Sequence, residues 1–93
     1  MIDGQPLVSV VIPHFNGIAI LAECLDSLHQ SEYIPLEIIV VDNRSTDDSV
    51  KMISTKYPKI KLIQSEFNRG FAGGCNFGAE HAMGKYLLFL NND

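Results

Sequence analysis

Short runs of apolar residues recur along the chain, and a segment of different periodicity follows each of the first three. Four of these runs, rich in valine, isoleucine and leucine, have the length of a strand: 7–13, 36–41, 60–64 and 86–90. Short, nearly continuous apolar runs of this kind are typical of strands buried inside a sheet. The third run alternates, which suits a strand with one wetter face. The pattern therefore predicts four β-strands.

The segments between these runs carry helical spacing. From Gly17 onward, apolar side chains recur every three or four residues and form one face: Ile18, Leu21, Ala22, Leu25 and Leu28. The stretch 45–48 resembles a capping box with Ser45 as the N-cap, which predicts a second helix ending near Tyr57, before Pro58. A third helix is predicted over 71–83, with an inward stripe of Phe71, Cys75, Gly78, Ala79 and Ala82.

Strict alternation of strand and helix determines the predicted fold class. Such chains form a mainly parallel sheet with helices on both faces, and right-handed crossovers leave few topologies. We expect one three-layer α/β/α, Rossmann-like domain over residues 1–93 with the strand order 3-2-1-4. Ligands of such sheets bind beyond the carboxyl ends of the strands, where the strand order reverses. That point lies here between the first and the fourth strand.

Composition narrows the function classes. The 93 residues are 46% hydrophobic and 19% charged, with a net charge of −4, which is a globular composition. There is no cluster of lysine and arginine, so we expect no nucleic-acid partner. Cys24 and Cys75 lack the spacing of a metal site and are interpreted as buried, reduced thiols of a cytoplasmic protein, with a disulfide between them as the alternative.

Polar side chains collect after the strands, at one predicted rim of the sheet. The candidate binding residues are Pro13, His14, Phe15 and Asn16 after the first strand; Asp42, Asn43 and Ser45 after the second; Asn68, Arg69, Gly73, Gly74 and Asn76 after the third; and Asn91 and Asp93 after the fourth. The glycine-rich part matches neither the dinucleotide fingerprint nor a P-loop.

Each of these residues also has a structural interpretation. Asp42 and Ser45 would serve as helix caps, Asn16 with Gly17 as a turn, and the glycines as packing positions. His14 suits a structural or a ligand-facing role equally, while His29 and His81, within helices, are taken as surface or structural. The same choice holds for Arg44 and Arg69, which are either solvated charges or phosphate ligands.

Taken together, the segments 8–17, 37–49 and 68–93 resemble the N-terminal half of a family 2 glycosyltransferase of the GT-A fold. The resemblance covers nearly the whole chain. It implies transfer of a sugar from a nucleotide diphosphate sugar, with inversion, and with a divalent metal, Mg²⁺ or Mn²⁺. The family also suggests a glycan or lipid-linked acceptor, a role in polysaccharide biosynthesis and, in a longer protein, a place at the inner face of the membrane.

The resemblance also implies roles for residues. Residues 13–16 match the lining of the nucleoside pocket, Asp42 matches the acid that bonds the base, and residues 68–76 match the loop and helix beside the nucleotide. Asn91, Asn92 and Asp93 align with the Asp-x-Asp metal motif, with Asp93 as the metal ligand. Asn91 replaces the first acid, as in rhamnosyltransferase-like members that use dTDP sugars, so the donor is expected to be of UDP or dTDP type.

No residue matches the family's catalytic base, which lies downstream of the metal motif. We therefore expect residues 1–93 to be a donor-binding part, cut at that motif and inactive alone. Two alternatives remain at this stage: a phospho-acceptor module of receiver-like fold with Asp42 as acceptor, and an inert fragment. The apolar fourth strand would form an open edge, which predicts a homo-oligomer.

Overall fold

The computed structural model describes residues 4–31 and 35–91, and it contains the predicted alternation of strands and helices. The elements, in chain order, are β1 (Val8–His14), α1 (Ile18–His29), β2 (Leu36–Asp42), α2 (Ser49–Lys56), β3 (Lys61–Gln64), α3 (Gly70–Ala79) and β4 (Tyr86–Phe89).

The four strands form one parallel sheet in the order β3-β2-β1-β4, which confirms the predicted topology. β1 and β2 pair along their whole length, from Val8 opposite Leu36 to His14 opposite Asp42. Because the register has no offset, both strands end at the same level. The loops that follow them therefore leave the sheet side by side.

The sheet is covered on both faces, as the alternation of side chains in β1 and β2 requires. On one face, Val10, Ile12 and Val40 pack with Leu21 and Leu25 of α1 and with Ile53 of α2. On the other face, alternate residues of the same two strands form a second, smaller cluster of Val11, Ile39 and Val41. The core therefore lies along β1 and β2, directly below their carboxyl ends.

The helix α3 covers the second face with Phe77, and glycine residues lie at its closest approach to the sheet. A Cβ atom at Gly78 would lie 2.9 Å from Cγ2 of Val41, and one at Gly74 would lie 2.8 Å from Cβ of Pro13. Real Cβ atoms do not approach other atoms that closely, so these positions allow the helix backbone to approach the sheet. The start of α3 is thereby held against the end of β1.

Two predicted helix boundaries are wrong, and tertiary hydrogen bonds explain both. α2 begins at Ser49 with Asp48 as N-cap, not at Ser45, because the Ser45 hydroxyl accepts a hydrogen bond from the amide of Asn16. α3 ends at Ala79 rather than at residue 83. There the amides of Met83 and Gly84 donate to side chains of the sheet, Glu37 and Ser9 respectively, which turns the chain towards β4.

Both cysteines are free thiols, in agreement with the sequence. Cys75 is buried and Cys24 partly buried, and burial raises the pKa of each thiol. Neither is therefore an activated nucleophile.

The strand β4 is the least covered element of the sheet. It pairs with β1, and its four side chains are between 42% and 55% exposed although all of them are large and apolar or aromatic. Within residues 4–31 and 35–91, no helix has the length and apolar character needed to cross a bilayer.

Candidate functional site

A cavity of about 250 Å³ opens at the carboxyl end of β1, and residues that follow each of the four strands line it. Of the residues singled out from the sequence, seven line it together: Pro13, His14, Phe15, Asn16, Asn43, Asn68 and Asn91. The structure adds Ile20, Gly70 and Phe71 to the lining. Residues from four separate loops or helix starts therefore meet at the predicted switch point.

The lining combines neutral polar groups with apolar ones. Its polar side chains are four asparagines and His14, and none of the described residues that line it is an aspartate, glutamate, lysine or arginine. Phe15, Ile20 and Phe71 line the same cavity and remain about half exposed. Primary amides donate and accept hydrogen bonds, so this cavity suits an uncharged polar molecule that also has an apolar or planar part.

Asp42 lies at the end of β2 with an incompletely satisfied carboxylate. It is only 2% exposed, and its Oδ2 accepts a hydrogen bond of 2.9 Å from the amide of Ser45. Its Oδ1 is also buried and has no hydrogen-bond partner among the described residues. Asp42 does not itself line the cavity, but its neighbours His14 and Asn43 do. Because an unsatisfied buried acceptor is costly, this oxygen is the clearest candidate for a ligand N–H.

Asn16 connects the loop after β1 to the loop after β2. Its side-chain Oδ1 accepts hydrogen bonds from the backbone amides of Thr46 and Asp47, at 2.8 and 3.2 Å. The backbone amide of Asn16 donates to Ser45 Oγ at 2.8 Å. Asn16 adopts a positive φ of 53° to do so, a conformation that asparagine tolerates better than most residues. Asn16 and Ser45 therefore have structural roles, and the hydrogen bonds between the two loops form without a ligand.

The side chain of His14 is held by a chain of hydrogen bonds. Its Nε2 lies 2.9 Å from Ser49 Oγ, and that hydroxyl donates its proton to Asp47 Oδ1. The Ser49 oxygen is then the acceptor, so His14 carries a proton on Nε2. Burial lowers the pKa of His14, against the opposing effect of Asp42 and Asp47. His14 is therefore a neutral, fixed imidazole at the cavity wall.

Asn43 and Asn68 fix the turn that leads into α3. Asn43 accepts a hydrogen bond from the amide of Arg69 and donates one to the carbonyl of Gly70, while Asn68 Oδ1 accepts the Gly70 amide at 2.8 Å. Gly70 has a φ of 72°, which other residues adopt only with strain. The start of α3 is therefore rigidly placed at the edge of the cavity.

The remaining candidates do not line the cavity. The guanidinium of Arg69 packs against the rings of Phe67 and Phe77, at 4.5 and 3.9 Å, and Arg44 donates to the carbonyl of Glu66. Gly73 and Gly74 lie within α3, where Gly74 packs on Pro13, and Asn76 is exposed on the same helix. Both arginines thus have protein partners.

The predicted metal ligand Asp93 and its neighbour Asn92 lie outside the described residues. Within 4–31 and 35–91, no group of three or more His, Cys, Asp or Glu side chains could hold a metal ion. Asn91, at the cavity, offers an amide oxygen. The described residues alone therefore do not form a metal site.

Phe71 is the cavity residue that the sequence interpretation placed elsewhere. It was expected on the buried stripe of the third helix, yet it is 46% exposed. The reason is its position in the first turn of α3, at the cavity beyond the strand ends, where the stripe has no sheet to cover. A large apolar residue directly after the glycine of a strand-end loop is the signal that could have identified it.

Comparison with known proteins gives consistent matches. The family model described as Glycosyl transferase family 2 matches residues 9–93. An uncharacterized glycosyltransferase of Haemophilus influenzae is 34% identical over 97% of this chain and 37% of its own length. The Escherichia coli protein named UDP-Glc:alpha-D-GlcNAc-diphosphoundecaprenol beta-1,3-glucosyltransferase WfgD is 30% identical over 94% of this chain and 35% of its own.

A solved structure agrees with the sequence matches. The mannosyltransferase PcManGT of Pyrobaculum calidifontis, in complex with GDP-Man and Mn²⁺, superposes with a TM-score of 0.84 at 28% identity, covering 98% of this chain and 28% of that protein. The chain thus spans roughly a third of the length of the curated relatives described above (37% and 35%).

Proposed function

This chain belongs to glycosyl transferase family 2, and from that membership we propose that it forms the donor-binding part of an inverting, metal-assisted transferase. The donor would be a UDP- or dTDP-type sugar. The observation that carries the proposal is the neutral, amide-lined cavity at the carboxyl ends of the central strands. Family membership also favours this function over the phospho-acceptor alternative.

The chemistry of the cavity indicates which part of the donor, the nucleoside or the diphosphate, binds there. Because the described lining residues carry no charged side chain, this part of the cavity suits the nucleoside, whose base and ribose are neutral, better than the diphosphate. The buried Oδ1 of Asp42 is available to accept a hydrogen bond from the base, and Asn43 and Asn68 hold the loop beside it. This arrangement provides binding and orientation, which is what a donor subsite must supply.

A metal ion would be held by Asp93, with the amide oxygen of Asn91 close by in sequence. One or two protein carboxylates together with substrate phosphates are a usual shell for Mg²⁺. A metal bound there would neutralise the charge of the departing diphosphate. The mannosyltransferase complex with Mn²⁺ supports a metal in the family.

The acceptor, the biosynthetic role and the cellular location are proposed from the relatives. The name of WfgD describes a diphosphoundecaprenol-linked acceptor, which supports a glycan or lipid-linked acceptor and polysaccharide biosynthesis here. We place the activity in the cytoplasm, at the inner face of the membrane. The 93 residues alone are expected to bind nucleotide without transferring sugar. Self-association through β4 is part of the same proposal.

The test is a calorimetric or NMR titration of the chain with UDP, dTDP and GDP, each with and without Mn²⁺. We expect measurable binding of UDP or dTDP that Mn²⁺ strengthens. Asp42→Asn keeps the size of the side chain but removes its charge, and it should weaken nucleotide binding by about tenfold or more, because a hydrogen bond to a charged group contributes about 1.5–3 kcal/mol.

The matched control is Asp26→Asn, an exposed acid of α1 that bonds the Tyr57 hydroxyl and lies outside the cavity lining. This variant should bind as the unchanged chain does. Absence of nucleotide binding under all conditions would instead support the inert-fragment alternative.

A further inference from the structure

Phe71 is an exposed aromatic residue on an unusually well-fixed piece of backbone. It follows Gly70, whose amide and carbonyl are bonded by Asn68 and Asn43 respectively. An exposed phenylalanine on a mobile loop would need no explanation. Here the surrounding hydrogen bonds fix the backbone from which the ring extends, and the ring lines the cavity.

The other aromatic residue of the cavity is Phe15, which comes from the loop after β1. Both phenylalanines are nearly half exposed, and neither belongs to the two core clusters. Two rings that contribute little to the core and border one cavity provide apolar, planar surface for a ligand. With four amides in the same lining, the cavity combines stacking surface with hydrogen-bonding groups.

We propose that Phe71 stacks on the nucleobase of the donor, with Phe15 contributing to the same aromatic surface. This inference rests on the proposed function, since it names the part of the donor that this surface contacts. Stacking on an aromatic side chain is tolerant of base identity because every base has a π-face. Phe71 therefore supplies affinity, while the buried carboxylate of Asp42 discriminates between bases.

The test compares variants at position 71 by titration with UDP, GDP and ribose 5-phosphate. Phe71→Ala should weaken binding of both nucleotides by about tenfold, equivalent to about 1.4 kcal/mol, and leave the binding of ribose 5-phosphate, which has no base, unchanged. Phe71→Tyr keeps the ring and should retain affinity. Phe71→Leu keeps an apolar side chain without a π-face, and its affinity for the nucleotides should lie between those of Phe71→Ala and Phe71→Tyr.

A second measurement separates stacking from general apolar contact. The base protons of bound UDP should shift upfield in NMR spectra with the unchanged chain and with Phe71→Tyr, and clearly less with Phe71→Leu, in which only the ring of Phe15 remains. Phe67→Ala is the control, because Phe67 is an even more exposed phenylalanine, in the loop directly before α3, that does not line the cavity.

The outcomes separate this inference from the function on which it rests. If the unchanged chain binds UDP and Phe71→Ala binds it equally well, the stacking role is wrong and the proposed function stands. An equal loss in Phe67→Ala, or a loss of ribose 5-phosphate binding in Phe71→Ala, would also overturn the stacking role. If the unchanged chain binds no nucleotide, both proposals fail.

Discussion

His14 couples the candidate site to the stability of the fold. Burial lowers its pKa in the folded chain, against the opposing effect of Asp42 and Asp47. The unfolded chain therefore takes up a proton at this residue at a higher pH than the folded chain does. The contribution of neutral His14 to the free energy of unfolding is fully present when the pH is well above the unfolded-state pKa of about 6.5. It is lost as the pH falls below that pKa.

We expect the free energy of unfolding to decrease from about pH 7 to about pH 5, with a slope from His14 of at most about 1.4 kcal/mol per pH unit. Denaturant unfolding followed by circular dichroism checks this. The carboxyl groups of Glu37 and Asp47 also have lowered pKa values, where hydrogen bonds outweigh the opposing effect of burial. These carboxyl groups titrate at more acidic pH, so they should not contribute to the change in the free energy of unfolding between about pH 5 and 7.

His14→Gln is the informative variant, since its amide can still donate to Ser49 but does not titrate. Its stability should vary less with pH between about 5 and 7 than that of the unchanged chain. The control is His81→Gln, at an exposed position beyond the end of α3. If His14→Gln and the unchanged chain lose stability in parallel, His14 is not the group responsible.

Much of the cavity lining was predictable from the sequence, because parallel strands bring the residues that follow them to one edge. Pro13, Asn43 and Asn91 come from three such positions and meet as expected. The exposure of Phe71 was not predictable from spacing. Spacing identifies one face of a helix, but it does not indicate how far along the helix that face remains covered by the sheet.

At the scale of elements, the contact of α3 with the sheet depends on Gly78. Alanine there would gain helix propensity of about 1 kcal/mol, but its Cβ would overlap Val41 and Val11. We expect Gly78→Ala to destabilise the chain by about 1–3 kcal/mol, the usual cost of overpacking. Thermal or denaturant unfolding measures this change.

Val11→Ala provides the matched background, since it removes the Val11 methyl group that the new Cβ would approach most closely, while the contact with Val41 remains. The cost of Gly78→Ala should be smaller in that background than in the unchanged chain, which a double-mutant cycle reports directly. Equal costs in both backgrounds would show that the close approach to Val11 is not the cause.

The elements themselves followed from periodicity, whereas two of their ends did not. Buried strands and amphipathic helices are local patterns, and the order of the strands follows from general rules of connection. The start of α2 and the end of α3 depend on partners about 29 to 75 residues away in the chain, such as Asn16 for Ser45 and Ser9 for Gly84. Hydrogen bonds of that range leave no signature in a local pattern.

For the molecule as a whole, the open edge of β4 predicts self-association. The amide of Tyr86 donates to the carbonyl of Leu7, directly before β1, and that of Leu90 donates to Val11 of β1. Because alternate residues direct their backbone groups to opposite edges, those of Leu87 and Phe89 face away from β1. An edge with free backbone groups and large apolar side chains on both faces pairs readily with another strand.

We expect sedimentation velocity to show concentration-dependent association of the 93-residue chain. Leu87→Lys should shift the population towards monomer because a charge on the edge opposes pairing. Met83→Lys is the control, as Met83 is the most exposed of the large apolar residues but precedes β4. A chain that remains monomeric at its highest soluble concentration would contradict the prediction.

The hydrogen bonds of Asn16 have a consequence for the energetics of recognition. They join two loops whose conformations would otherwise fluctuate independently, and they do so within the chain itself, without help from a ligand. A binding surface that is already ordered does not have to lose conformational entropy when its ligand arrives. In this chain that part of the entropic cost is met during folding, so we expect a ligand of this cavity to bind with a smaller loss of conformational entropy in these two loops.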